Sequence, residues 1–160
     1  MNGIRSKVYV ETSIISYLAA RLSRDLITAA HQQITQEWWD NRRADFDLFI
    51  SQLVVREAGA GDEQVAKKRL EIIEQIPLLE LNPQVLDLAY ALVQEGPLPE
   101  KASEDALHIA VATVHGMDHL LTWNCKHIAN AQMRNAVVSV CRGRGYEPPV
   151  FCTPEELLGE

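Results

Sequence analysis

The chain has 160 residues, a formal net charge of −7, 47% apolar residues and only 6% aromatic ones. That length is enough for one domain with a sizeable core, and no apolar run approaches the roughly 20 residues that span a bilayer. The acidic balance argues against a broad nucleic-acid surface held by bulk electrostatics, though not against binding through metal ions and a local basic patch.

The first residues, Met1 to Lys7, run straight into a strand and lack the apolar segment of a signal peptide. The three cysteines, Cys125, Cys141 and Cys152, are odd in number and form no paired motif. Both features lead to the expectation of a reduced, cytoplasmic protein.

Lys7 to Val10 is a short apolar strand that ends on Glu11. Ile14 to Ala20 reads as a helix, for which Thr12 or Ser13 supplies the cap. Taken alone, Glu11 only favours a helix N-terminus. Ser23 to about Arg43 is a second helical stretch, with Leu26, Ile27, Ala30, Ile34 and Trp38 on its apolar face. Of the pair Trp38 and Trp39, one packs inward and the other stays near the surface, where an aromatic can also serve a partner.

Asp47 to Ser51 is the second strand, followed by a short helix from Gln52 that Gly59 and Gly61 stop. Glu57 lies more than a turn into that helix, where a surface glutamate is ordinary. Asp62 to about Gln75 is a further amphipathic helix using Val65, Ala66, Leu70, Ile72 and Ile73, and its run Lys67-Lys68-Arg69 reads as a solvated face. Pro77 to Leu81 suggests a third strand, and Pro83 opens a helix through Val93.

Lys101 to Asn124 organises the chain. Ser103 is placed to cap a helix whose first turn carries Glu104 and Asp105. Leu107, Ala110, Val111 and Val114 recur at helical spacing, Gly116 ends the helix, and His119 to Thr122 is a strand. Beyond Cys125 to Asn130, a helix runs from about Ala131 to Arg142, Gly143 and Gly145 break it, and Tyr146 to Cys152 makes an edge strand. Thr153-Pro154 opens a last helical turn.

Strands alternating with helices predict a parallel α/β sheet. There is no glycine-rich phosphate loop and no Gly-x-Ser-x-Gly elbow. Cys125 and His127 lack any local oxyanion device, and Gly116 separates His115 from His119, so neither a thiol nucleophile nor zinc is supported. What remains is acidic: Glu11, Glu57, Asp105 and the polar Asn124 all follow predicted strand ends, which a parallel sheet brings to one edge. Clustered carboxylates repel unless a cation neutralises them. Mg²⁺ and Mn²⁺ suit oxygen ligands, and such ions activate water and stabilise charge on a phosphoryl group.

Val8-Tyr-Val-Glu-Thr-Ser-Ile-Ile-Ser-Tyr-Leu18, Glu57, Asp105-Ala-Leu-His-Ile-Ala110 and Leu120-Leu-Thr-Trp-Asn124 together resemble a PIN domain, most closely the VapC-like group of toxin–antitoxin ribonucleases. The resemblance runs in order over nearly the whole chain. It implies a single PIN-like domain over residues 1–160, with a three-layer α/β/α fold and a short central parallel sheet. It also implies an acidic quartet holding Mg²⁺ or Mn²⁺, hydrolysis of RNA, homodimers and, for toxin members, an antitoxin partner; no membrane is involved. Residue by residue it makes Glu11, Glu57 and Asp105 the first three acids and puts Asn124 in the fourth position. Ser13 orients the first acid, and Thr122 stands beside Asn124 in the same role. Two positions depart from the pattern. Glu11 stands where Asp is usual, so the longer side chain must fold or the ion must shift. Asn124 is neutral, as in some members, and offers a carbonyl oxygen. Lys101, Lys126 and Arg134 are candidates for phosphate contact or simply solvated charge. Two other classes of function stay open: a PIN-fold binding module with little nuclease activity, and a purely structural partner protein.

Overall fold

The computed structural model describes residues 4–159; Met1, Asn2, Gly3 and Glu160, and with them most of the segment ahead of the first strand, lie outside it. Among the described residues, five strands form one parallel sheet in the order β3-β2-β1-β4-β5. They are β1 (Lys7–Val10), β2 (Asp47–Ser51), β3 (Leu78–Leu79), β4 (His119–Leu121) and β5 (Val150–Cys152). β1 is central, and Val8, Tyr9 and Val10 are all fully buried, as expected of a strand covered on both faces. The chain moves outward from β1 to β2 and β3, then returns to the other side for β4 and β5. The order therefore reverses between β1 and β4, which is where open α/β sheets place their ligand crevice. The pairing of Val10 with Leu121 brings the two strand ends level, and the Glu11 amide donates to the Leu121 carbonyl at 3.0 Å.

Seven α-helices accompany the sheet among the described residues: α1 (Thr12–Ala19), α2 (Leu26–Asn41), α3 (Gln52–Ala58), α4 (Glu63–Ile73), α5 (Pro83–Gln94), α6 (Ser103–Val114) and α7 (Ala131–Gly143). α1 packs on α2, α3 and α4, whereas α5 packs on α6 and α7. The expected three-layer α/β fold is the one found. Asp62 and Asn82 cap α4 and α5 through the amides of Val65 and Val85, and Gly116, at φ +70°, makes the left-handed step that ends α6. No helix among the described residues is long and apolar enough to cross a membrane.

Three local expectations change. α2 starts at Leu26 behind an Asp25 cap, and its buried side is Gln32, Thr35 and Trp38. Leu26 and Ile27 are 85% and 69% exposed. The helix is anchored to the body by its middle and end, so the apolar residues of its first turn have nothing to cover them. Ser103 is not a cap: it is the first residue of α6, and its hydroxyl donates to the Glu100 carbonyl. Thr12 and Ser13 do not cap α1 either; both hydroxyls go to carboxylates described below. The tryptophans divide as expected, with Trp38 fully buried and Trp39 half-buried beneath the Arg43 guanidinium at 4.5 Å.

These placements predict opposite responses to substitution. Leu120→Ala, in the fully buried β4, should cost about 2–5 kcal/mol in urea unfolding through the cavity it leaves. Leu26→Ser should stay within about 0.5 kcal/mol of the parent.

Candidate metal centre

Glu11 leaves the end of β1, is only 6% exposed, and is held through one oxygen. The Ser13 hydroxyl donates to its Oε1 at 2.6 Å and the Thr122 hydroxyl to the same atom at 2.5 Å. Each hydroxyl also accepts an amide from the loop after β4: Trp123 N–H on Ser13 at 2.8 Å and Asn124 N–H on Thr122 at 2.8 Å. The loop is therefore fastened to the first acid. The extra methylene of glutamate, relative to aspartate, is accommodated by this pair of donors.

Glu57 arrives from the last turn of α3. Its Oε1 accepts the Thr12 hydroxyl at 2.5 Å and pairs with His108 Nε2 at 2.8 Å. Burial alone would raise the Glu57 carboxyl, but the hydrogen bond and charge of His108, with the Thr12 hydroxyl, outweigh it and hold the group below its ordinary value.

Ligand atoms of Glu11, Glu57 and His108 all lie within 4.8 Å of one another. In both carboxylates every side-chain donor sits on Oε1, and Oε2 takes no hydrogen bond from the described residues. Two close carboxylates, each fixed by one oxygen and presenting the other, form a donor set that fits a hard divalent cation.

Asp105 and Asn124 are brought together, but Asp105 is not part of that close group. Asp105 Oδ1 accepts from Asn124 Nδ2 and Oδ2 pairs with His127 Nδ1, both at 2.9 Å. Asn124 uses its carbonyl oxygen on the His127 amide at 3.0 Å, which closes a tight turn. With an N–H donor on one side of the amide and a carboxylate on the other, the orientation of Asn124 is fixed. Its carbonyl oxygen thus serves its own loop. Lys101, Lys126 and Arg134 are exposed and form no ion pair among the described residues. The exposed Arg56 pairs instead with Glu104 at 2.8 Å.

Sequence reasoning missed His108, His127 and Thr12 as members of the site. His108 lies among apolar positions of α6 and is 1% exposed, so by pattern it is a core residue. The signal for His127 was the spacing Asn-x-x-His, which lets an asparagine turn bring the ring back. Trp123 completes the surroundings: its ring stacks on His31 at 3.9 Å and 13°, and its indole N–H donates to the Thr35 hydroxyl at 2.7 Å. This ties the loop to α2.

The lowered Glu57 pKa has a definite sign in stability. A carboxyl that binds its proton less readily when folded adds stability above its unfolded value, and that stability is lost as pH falls through the folded value. Urea unfolding across a pH series should therefore show a flatter decline for Glu57→Gln than for the parent below about pH 4.3.

A PIN domain family model matches residues 8–127 of this chain. No curated protein matches it. Among solved structures, the chain is similar to the crystal structure of VapBC2 from Rickettsia felis bound to a DNA fragment from their promoter. That similarity has a TM-score of 0.51 and covers 92% of this chain and 98% of the other, at 13% sequence identity.

Proposed function

The chain belongs to the PIN domain family, and on that footing we propose that it is a metal-dependent ribonuclease, the VapC-like toxin of a toxin–antitoxin pair. The observation that carries this reading is the pairing of Glu11 and Glu57 at the sheet's switch point, each with Oε2 turned free. Mg²⁺ or Mn²⁺ bound there supplies Lewis-acid stabilisation of phosphoryl charge and activation of a water. The protein's part is to hold Glu11 and Glu57 as the nearest ligands, with Asp105 completing the acidic edge from the first turn of α6. Ser13 and Thr122 hold Glu11 in place through its Oε1. Asn124, the fourth position, acts by steadying Asp105. We read residues 1–160 as one PIN-like domain acting in the cytoplasm as a homodimer, with RNA as substrate and an antitoxin as the regulating partner. The fold shared with a chain of the VapBC2 structure supports the antitoxin part of this reading.

A second reading has its own support. Both Asp105 oxygens are engaged by Asn124 and His127, and the fourth position carries no charge. Those features suit a PIN-fold module that binds RNA or protein with little turnover.

Incubation with a pool of structured RNA decides between them. Cleavage should require Mg²⁺ or Mn²⁺, stop with chelator, and fall by about a hundredfold or more in Glu11→Gln and Asp105→Asn. Metal and RNA bound without cleavage would favour the module. Growth arrest on expression, relieved by co-expressing a neighbouring small protein, is the expected result for a toxin.

A further inference from the structure

We propose that His108 is a positioning residue for Glu57 and not an ion ligand, and that Ser51 and Tyr9 act through it as a buried relay. The inference rests on the metal-site reading above. The chain of contacts is continuous: Ser51 Oγ to Tyr9 OH, Tyr9 OH to His108 Nδ1, and His108 Nε2 to Glu57 Oε1, each at 2.8 Å. Ser51 and Tyr9 are fully buried and His108 is 1% exposed, so no water competes.

The hydrogens can be assigned. A carboxylate only accepts, and Glu57 Oε1 faces Nε2 at 2.8 Å, so Nε2 must carry the hydrogen between them. This is true of the neutral ring and of the imidazolium alike. In neither form does Nε2 have a lone pair to give an ion. Nδ1 faces the Tyr9 hydroxyl, which burial keeps protonated. In the neutral ring Nδ1 accepts from that hydroxyl, whose oxygen then accepts from Ser51. Turning the ring over would set C–H groups against Tyr9 and Glu57 and break both bonds. Closeness to Glu11 and Glu57 therefore does not make His108 a ligand; the ion is left with oxygen alone, which selects hard cations over zinc-like ones.

The relay also closes on itself. Ser51 stands immediately before α3, and Glu57 lies in that helix's last turn. Between them the contacts cross β1 through Tyr9 and α6 through His108. Glu57 is thereby fixed relative to α6, three residues from Asp105. Partners one step beyond the ligands commonly change metal affinity or activity by about 10- to 100-fold when removed.

The test uses the full chain and Mg²⁺ or Mn²⁺ as probe. Two-bond ¹H–¹⁵N correlation spectra of the imidazoles should show His108 Nε2 protonated in metal-free protein and still protonated at saturating Mg²⁺. Loss of that proton on adding Mg²⁺ would make His108 a ligand and overturn the proposal. Tyr9→Phe, which keeps the buried ring, and Ser51→Ala should weaken Mn²⁺ binding by calorimetry, the first by about tenfold, with the far-ultraviolet circular dichroism unchanged. His108→Gln, which retains a donor, should bind Mn²⁺ better than His108→Leu. Equal Mn²⁺ affinity in parent and Tyr9→Phe overturns the relay alone. A parent that binds no Mn²⁺ overturns the metal-site reading, and the positioning role with it.

Discussion

Glu11 and Glu57 are held with ligand atoms within 4.8 Å by a strand end and a helix that cannot move apart without opening the core. Two like unit charges at that separation repel by about 3 kcal/mol at an effective dielectric of about 20. Four donors counter this: the hydroxyls of Ser13, Thr122 and Thr12, and the His108 ring. Hydrogen bonds to charged groups are each worth about 1.5 kcal/mol or more, so the set is strong enough to hold both carboxylates near each other. Every one of these donors takes Oε1, which leaves the two Oε2 atoms without a hydrogen bond from the described residues. Geometry and charge then both favour a small cation.

The sheet was legible in the chain because its strands are short apolar runs bounded by polar turns. Val8 to Val10 and His119 to Leu121 needed no long-range information to be found. The edge position of Glu11 followed from that reading, and so did the approach of Thr122. The misread hydroxyls have one physical cause. Thr12, Ser13 and Ser103 have the chemistry of caps, and only the fold decides whether a hydroxyl serves its own helix or a carboxylate elsewhere. Thr12 found Glu57, 45 positions away, and Ser13 found Glu11 and the Trp123 amide. His108 was hidden by its own burial, since a histidine among alanines and isoleucines follows the period of a core face. On α2, Leu26 and Ile27 have apolar spacing but lie beyond the reach of the body, so periodicity overstated the buried stripe.

Asn124 shows how a neutral residue can occupy an acidic position without leaving a gap. Its amide donates to Asp105 and accepts from the His127 backbone, and the turn so formed returns the His127 ring to the other oxygen of Asp105. An aspartate there would face Asp105 charge against charge. The asparagine removes that repulsion and converts a potential ligand into a brace. It also joins the loop after β4 to α6, just as Ser13 and Thr122 join the same loop to β1.

The double hydroxyl lock on Glu11 has a consequence for how such a chain can change over time. Ser13 and Thr122 lie 109 positions apart, and both hydroxyls meet a carboxylate oxygen placed by glutamate's full length. Shortening residue 11 to aspartate, a step toward the usual family residue, would draw that oxygen back from both hydroxyls, which would still accept the two loop amides. A change at 11 is therefore felt at 13 and 122 together, while the loop stays attached through the amides that those hydroxyls accept.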